Sequence, residues 1–420
     1  MLIREMFAIA LLFAATGDAS AAPDCGALAP NTTILASYEE AFPIHGVAGD
    51  RDVLFLVQPS AGAASQPHVR VARRADGAAL PDLPAPPQGW SVPLSPFLPW
   101  LPSPGVPGEL WVSDVRVPPA GAIATPTAAL IQRYTYTWSK AKGFSATHAE
   151  TWTLPLNSVP PGAGLPNGFL YLGSLVGLPN GAVVLTDTFT GALWVADTFG
   201  KAPRLALIDP RFGPGPVGDI TGVQRAPGGG VRPYTQALPK RDGRGYAPGI
   251  ESVTYAPFTD EVCVAPTGAG GLFCVERAAL LSSDPPVAKA KAIREVLAPT
   301  PGLSDLTDGV VADRFQPTSP WLYWQRAVSD TTTFDGSGYN TLRRIHLNTG
   351  AIEVVARSNT CFDWAYELTT LPPLRAGDPN TTVMSSVGQG PNNPDINQAL
   401  GGRHTFVGPA IVPVTVVDAR

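Results

Sequence analysis

The chain has 420 residues, of which 15% are charged and 44% are hydrophobic, and its formal net charge is −5 at pH 7. This charge gives no electrostatic basis for binding nucleic acid or an anionic membrane, so we expect neither as a partner. Glycine (43 residues) and proline (46 residues) are both more frequent than average. Because these residues break helices and punctuate strands, they favour an all-β protein with many turns.

The first 21 residues have the three parts of a secretory signal peptide. Arg4 supplies the positive charge, Met6 to Ala15 an apolar stretch, and Ala19-Ser20-Ala21 a small-residue cleavage site. The apolar stretch is shorter than the roughly 20 residues that a membrane-spanning helix needs. We therefore predict a mature chain of residues 22–420 that is a single domain and a monomer. It is secreted, or periplasmic if the source is a bacterium.

The region around residues 169–209 predicts four short antiparallel strands. Each is an apolar run bounded by turn residues such as Pro179-Asn180-Gly181. The runs are Phe169–Leu175, Ala182–Asp187, Ala192–Asp197 and Leu205–Ile208. Four such strands in about 40 residues are typical of one blade of a β-propeller.

Weaker copies of this pattern occur before and after that blade, at 52–73, 109–154, 248–277, 306–357 and from 362 onwards. They predict an all-β, six-bladed β-propeller, with five to seven blades as the range and a pair of β-sandwiches as the alternative. Val412 to Val417 is expected to pair beside an N-terminal strand and close the ring, which removes open sheet edges. The best helical candidate, Val287 to Leu297, is interpreted as an exposed turn of helix between strands.

Three long loops are predicted at residues 78–108, 210–247 and 375–398. Long loops in compact domains often act as lids or binding loops. The loop at 210–247 contains six basic residues, which favour a small anionic ligand. These residues are Arg211, Arg225, Arg232, Lys240, Arg241 and Arg244.

Three phrases of the sequence resemble the gluconolactonase and senescence-marker-protein superfamily of six-bladed β-propellers and, more loosely, strictosidine-synthase-like propellers. Leu178 to Asp187, followed by Gly191 to Val195, resembles the family's phrase for a blade's inner turn and next two strands. Thr307 to Asp313 resembles its Asp-Gly phrase, and Gly249 to Pro257 the blade between them. The resemblance implies lactonase or phosphotriesterase chemistry and a calcium ion in the central channel.

The resemblance also implies where the metal ligands would lie. Asp308 stands at the position of the family's Asp, Glu251 and Ser174 stand where the family has Asn, and the first-blade Glu falls near His45. Asp363 could add further oxygen ligands. Calcium prefers such oxygen ligands, whereas a nitrogen ligand from His45 would suit zinc or manganese better.

Each of these residues also has a simpler interpretation. Asp308 could form an Asp-Gly turn. Glu251 could pair with an Arg of the loop at 210–247, and His45 could be a hydrogen-bonded core histidine. As catalytic candidates, Asp308, Glu251 and His45 would activate water beside the metal.

Four cysteines fit an oxidising compartment. Cys263 and Cys274 lie on two predicted strands of one hairpin, opposite each other, which predicts a cross-strand disulfide. Cys25 and Cys361 remain, and pairing them would tie the N-terminal segment to a late blade.

Two functions remain open from the sequence. The first is a non-catalytic propeller that binds a small ligand through a loop-covered channel. The second is a metal-assisted lactonase or esterase-type hydrolase with a divalent cation in that channel.

Overall fold

The structure is a computed structural model that describes most of residues 46–373 and three outlying segments. The described residues are 32–40, 46–58, 67–100, 102, 106–116, 127–158, 164–188, 190–213, 220–225, 231–236, 240–241, 244–245, 249–266, 271–298, 306–327, 341–357, 365–373, 381–387 and 412–419. Only the backbone is described at 32–40, 220–225, 231–236, 240–241, 244–245, 306–308, 326–327, 341, 356–357, 365–366, 381–382, 384–387 and 412–419.

Short strands form nearly all of the regular structure. The first twelve are β1 (Thr32–Glu40), β2 (Gly46–Gly49), β3 (Val53–Gln58), β4 (His68–Arg73), β5 (Val92–Phe97), β6 (Gly108–Arg116), β7 (Ala128–Ser139), β8 (Gly143–Leu154), β9 (Leu172–Gly177), β10 (Val183–Asp187), β11 (Ala192–Ala196) and β12 (Arg204–Ile208). The next eight are β13 (Ile220–Arg225), β14 (Val231–Gln236), β15 (Lys240–Arg241), β16 (Arg244–Gly245), β17 (Ile250–Ala256), β18 (Glu261–Pro266), β19 (Leu272–Glu276) and β20 (Ile293–Leu297). The last seven are β21 (Leu306–Ala312), β22 (Trp321–Ala327), β23 (Thr341–His346), β24 (Ile352–Arg357), β25 (Ala365–Leu371), β26 (Thr381–Val387) and β27 (Val412–Ala419).

Helical structure is confined to three short pieces in the described part of the chain. They are the helix α1 (Arg277–Leu281) and two 3-10 helices at Pro210–Phe212 and Ala288–Ala292. No helix among the described residues is long and apolar enough to cross a membrane.

The strands form antiparallel sheets that follow one another along the chain. In the described residues, five sheets have four strands, with the orders β5-β6-β7-β8, β9-β10-β11-β12, β17-β18-β19-β20, β21-β22-β23-β24 and β25-β26-β27-β1. Strands β2-β3-β4 form a three-stranded sheet, and β13-β14 and β15-β16 are separate two-stranded pairs. The prediction of an all-β propeller is confirmed. The preferred number of six blades is corrected to five four-stranded blades, within the predicted range of five to seven.

The C-terminal strand closes the ring as predicted. β27 pairs antiparallel with both β26 and β1, so the last blade combines the two ends of the chain. The three-stranded sheet fills the place between this blade and the next, because β2 contacts both β25 and β5.

Apolar side chains fill the space between neighbouring sheets. Trp111 and Trp152 pack with Trp194 between the blades β5–β8 and β9–β12. A second cluster, which includes Phe212 and Phe273, lies between β9–β12 and β17–β20. Because each blade buries its two faces against its neighbours, the innermost strands are held edge-on around a central channel.

Four sequence interpretations, those of the three long loops and of the short helix, differ in part from the structure. The predicted loop at 78–108 contains β5, which is the innermost strand of its blade; its prolines Pro93 and Pro96 disguise the strand. The predicted turn of helix at Val287–Leu297 is half right, because a 3-10 helix covers Ala288–Ala292 and β20 follows directly. The predicted loop at 210–247 contains the two strand pairs β13-β14 and β15-β16, and the predicted loop at 375–398 contains all of β26.

Candidate ligand-binding channel

Six inner strands, one from each of the five blades and β2 from the three-stranded sheet, surround a cavity of about 370 Å³. They are β2, β5, β9, β17, β21 and β25, and each contacts the next around the ring. All of them contribute residues to the cavity wall. Most of the residues that line it are apolar, and they include Leu175, Val253 and Val311.

Neighbouring innermost strands run in the same direction, which gives the channel two distinct ends. The Ser252 hydroxyl of β17 accepts a hydrogen bond from the Val310 N–H of β21 at 2.9 Å, and the Thr254 hydroxyl accepts one from the Ala312 N–H at 3.1 Å. The Thr370 hydroxyl of β25 donates to the carbonyl of Ala312 at 3.3 Å. Short hydroxyl side chains therefore link blade to blade along the wall.

At the end where the strands begin, one carboxyl group joins three sheets. The Ser95 hydroxyl of β5 donates to Oε1 of Glu367 on β25 at 2.6 Å. The Val47 N–H of β2 donates to Oε2 of the same residue at 3.1 Å. The Ser95 hydroxyl also lies 3.3 Å from the Ser174 hydroxyl of β9. We call Glu367, Ser95 and Ser174 the carboxyl end of the channel.

The approach of Glu367 to β2 depends on a glycine. A Cβ atom on Gly46 would lie 2.1 Å from the carbonyl oxygen of Leu94 and 2.7 Å from Oε2 of Glu367. Only glycine avoids this overlap.

Burial strongly changes the ionisation of Glu367. Removal from water raises the pKa of its carboxyl to about 8, although the hydrogen bonds from Ser95 and Val47 oppose the shift. At neutral pH the carboxyl is therefore mostly protonated. A neutral carboxylic acid can donate a hydrogen bond as well as accept one.

Irregular pairing shapes the starts of the innermost strands. The register shifts between Pro93 and Pro96 in β5, between Ile250 and Ser252 in β17 and between Asp308 and Val310 in β21. Similar shifts occur in β9 and β25. Since a bulge re-aims the side chains beside it, these shifts decide which residues face the channel.

At the opposite end, where the strands finish, the channel wall carries the positively charged side chain of Arg314. Arg314 follows β21, and its guanidinium Nη1 donates to the carbonyl of Leu98. The guanidinium carbon lies 5.0 Å from the ring centre of Phe97 and 4.7 Å from that of Phe315. Burial lowers the pKa of Arg314 to about 10, so the group remains charged at neutral pH. We call Arg314 and these rings, together with Trp100, the arginine end.

At the arginine end the cavity wall includes an exposed indole. Trp100 lies on the cavity wall, yet 48% of its surface is exposed. Pro179 and Pro257 also line this side. A half-exposed Trp at a cavity mouth offers a flat apolar surface together with a hydrogen-bond donor.

The predicted site residues have different places in the structure. Ser174 is buried and lies on the channel wall, as the resemblance implied. Glu251 is half-buried at the irregularity of β17, and the cavity wall is formed by Ser252 beside it rather than by Glu251. The backbone of Asp308 lies in β21, next to Gly309.

The remaining candidates stay predictions. The side chain of Asp308 and all of His45, Asp363, Cys25 and Cys361 lie outside the described residues. Because the strands β17 and β21 are neighbours, Glu251 and Asp308 do occupy adjacent innermost strands, as predicted.

The metal-ligand groups of the described residues do not provide a separate metal site. Among them, the group that lies close enough to share an ion is Glu261, Cys263 and Cys274. The two cysteines form the predicted disulfide, in register between β18 and β19. The Glu261 carboxylate accepts from the Arg294 guanidinium, with one oxygen 2.9 Å from its Nε. A disulfide and an ion pair therefore occupy these ligand atoms.

Sequence reasoning missed both Glu367 and Arg314. A usable signal was present for each: Glu367 is the one charged residue in Ala365–Leu371, and Arg314 lies two residues after the apolar run Val310–Ala312. Their importance depends on ring closure, which brings β25 and β2 beside β5.

Comparison with known proteins adds little beyond the fold. No protein-family model matches the chain. No curated protein sequence matches it either.

Similar solved structures include a pyrroloquinoline-quinone-bound aldose sugar dehydrogenase from Streptomyces coelicolor (TM-score 0.45, 10% identity, 92% of this chain and 98% of that chain). They also include the WD40 repeats of RRP9 (TM-score 0.45, 11% identity, 94% and 99%). A third is virginiamycin B lyase from Staphylococcus aureus (TM-score 0.38, 13% identity, 84% and 81%). The likeness concerns the β-propeller fold alone and says nothing of activity.

Proposed function

We propose that this protein is a secreted propeller that binds a small organic molecule in its central channel. The observation behind the proposal is a cavity of about 370 Å³ inside the ring of innermost strands, with an apolar wall and a polar group at each end. Ligand sites usually have volumes of roughly 300–1,000 Å³, mostly apolar walls and a few convergent polar groups. The cavity has such a volume, most of its lining residues are apolar, and one ionisable group lies at each of its ends.

The polar groups at the two ends suit different parts of a ligand. Glu367 and Ser95 at the carboxyl end can exchange hydrogen bonds with a neutral polar group, because the carboxyl is mostly protonated at neutral pH. The apolar middle of the channel, with Val253 and Val311, would take the body of the molecule. Arg314 at the other end supplies positive charge.

The disulfide supports the proposed location. Cys263 and Cys274 are both buried and bonded to each other. Structural disulfides persist in oxidising compartments and are rare in the cytosol. This fits the signal peptide predicted for residues 1–21.

A fluorescence titration with the neutral dye N-phenylnaphthylamine tests the proposal. We expect saturable binding by the purified protein, and weaker binding by a variant in which the channel is filled, Val311→Phe. The matched control is Ile352→Phe, which introduces the same aromatic side chain on the outer strand β24, where Ile352 is 47% exposed. Equal binding by all three proteins, or none by the wild type, would refute channel binding.

The metal-assisted lactonase or esterase is the second candidate. It is favoured by the position of Asp308 on β21, an innermost strand that carries it next to Gly309 at the start of the channel wall. The described side chains at the carboxyl end, one carboxyl and two hydroxyls, would supply only part of the six to eight oxygens that calcium takes.

Elemental analysis of the purified mature protein decides between the two candidates. One calcium, zinc or manganese ion per chain, lost in Asp308→Ala together with any lactonase activity, would favour the hydrolase. A metal-free protein whose thermal stability is unchanged by a chelator would leave non-catalytic binding as the remaining candidate.

A further inference from the structure

The charge of Arg314 is only partly compensated within the protein. Its Nη1 donates to the Leu98 carbonyl, and its guanidinium lies over the rings of Phe97 and Phe315. In the part of the chain that the structure describes, no carboxylate oxygen lies within 4.0 Å of its nitrogens. A carbonyl dipole and two ring faces stabilise a cation less than an anion does.

The carboxylate of the preceding residue, Asp313, is hydrogen-bonded to the backbone. Oδ1 of Asp313 accepts hydrogen bonds from the N–H groups of Phe315 and Gln316 at 2.9 and 3.1 Å. These contacts fix the turn after β21 and hold the Asp313 carboxylate on that turn. The same turn positions Arg314 on the cavity wall.

Aromatic surface surrounds the cation on the channel side. Phe97, Phe315, Tyr255 and Trp100 all line the cavity together with Arg314. A charged group set among ring faces is suited to a ligand that is itself flat and apolar next to an anionic group. An aliphatic cation, by contrast, would be repelled by Arg314.

We propose that the channel ligand is an aromatic carboxylic acid whose carboxylate binds Arg314 while its ring packs among Phe97, Phe315 and Trp100. This rests on the channel-binding function proposed above and names its ligand class. The carboxylate would replace water at the guanidinium with a charge-assisted hydrogen bond, and the planar fork of arginine allows a bidentate contact. The anion would also raise the pKa of Arg314 and so oppose the effect of burial, which lowers it.

The test uses two competitors of the same shape that differ by one charge. Cinnamate and its uncharged amide, cinnamamide, would each displace N-phenylnaphthylamine from the wild type. A charge-assisted hydrogen bond predicts that cinnamate competes at about tenfold lower concentration, or lower still. No variant is needed for this arm, so it does not depend on mutant folding.

Variants of Arg314 then test whether the preference for cinnamate depends on its guanidinium group. Arg314→Gln should abolish the preference for cinnamate and leave cinnamamide within about twofold, whereas Arg314→Lys should keep a reduced preference. The control is Arg204→Gln, because Arg204 on the outer strand β12 also donates to a backbone carbonyl, that of Leu281 at 2.7 Å. It should leave both competitors unchanged.

The outcomes separate the two proposals. If cinnamamide competes as well as cinnamate, or if Arg314→Gln weakens both equally, the ligand class is wrong while channel binding stands. If neither the dye nor either competitor binds the wild type, channel binding fails and the ligand class falls with it.

Discussion

At the end of the channel where the innermost strands begin, the Glu367 carboxyl accepts hydrogen bonds from Ser95 and Val47. At the other end, Arg314 donates to the Leu98 carbonyl and lies over two phenylalanine rings. The first group links three sheets and keeps its proton at neutral pH, whereas the second keeps its charge. Both groups lie on the cavity wall, but Glu367 also holds neighbouring sheets together through its hydrogen bonds, whereas Arg314 has one hydrogen bond to a backbone carbonyl.

The largest expected effect is a loss of stability with rising pH. Burial raises the pKa of Glu367 to about 8, from an ordinary value of 4.5 in the unfolded chain. Between these pH values the folded state holds a proton that the unfolded state has released, so stability is full below about pH 4.5 and falls as the pH rises towards 8. The slope is about 1.4 kcal/mol per pH unit, on the order of 4 kcal/mol between pH 5 and pH 8.

Urea unfolding at pH 5 and pH 8 measures this slope. Glu367→Gln removes the titration and should show a flatter dependence. The control Glu353→Gln alters a half-exposed carboxylate paired with Arg344 and should keep the wild-type slope. Parallel curves for wild type and Glu367→Gln would show that Glu367 is ionised in the folded protein.

Truncating Glu367 to alanine should lower the free energy of unfolding more than truncating Arg314 to alanine. Glu367→Ala leaves the Val47 N–H and the Ser95 hydroxyl without their acceptor, which should cost about 3 kcal/mol of unfolding free energy. Arg314→Ala should cost only about 1 kcal/mol, because water in the open cavity can reach the Leu98 carbonyl. Chemical denaturation checks both values. A greater loss for Arg314→Ala would reverse the roles assigned to the two ends.

The disulfide provides a further test, because neither of its cysteines lines the cavity. Replacing Cys263 and Cys274 by serine opens a loop of sequence separation 11 and should lower the unfolding free energy by about 3 kcal/mol. The pH slope and the ligand preference should stay unchanged. A change in either would mean that the blade β17–β20 controls the channel.

The smallest effect concerns Ser95. Ser95→Ala removes the donor to Oε1 of Glu367 and should cost about 1 kcal/mol. Because that hydrogen bond lowers the pKa of the carboxyl, its loss should raise the pKa further, which NMR titration of the Glu367 side chain would detect. An unchanged titration would mean that the hydrogen bond contributes nothing in solution.

The sequence predicted those parts of the fold whose signals lie within one short segment of the chain. The blade β9–β12 was predicted strand by strand, because turns such as Asn180-Gly181 and Thr190-Gly191 mark its boundaries. The strand β5 was missed because Pro93 and Pro96 resemble loop residues, although they are tolerated where the pairing is irregular. The pairing of Cys263 with Cys274 was predicted because both strands belong to one hairpin.

The site was much less predictable, because its parts are distant in the chain. Glu367 meets Val47 across 320 positions and Ser95 across 272. Nothing local in Ala365–Leu371 shows that its carboxyl will be buried; only closure of the ring removes it from water. Ser174 was found through the family resemblance rather than through its own surroundings.

A crystal structure of the protein grown with cinnamate tests the central claim most directly. The account predicts one cinnamate molecule inside the ring of innermost strands, with its carboxylate within hydrogen-bond distance of Arg314 and its ring beside Phe97 and Phe315. The account would be contradicted if cinnamate bound only on the outer surface of the blades and side chains closed the central channel of the protein.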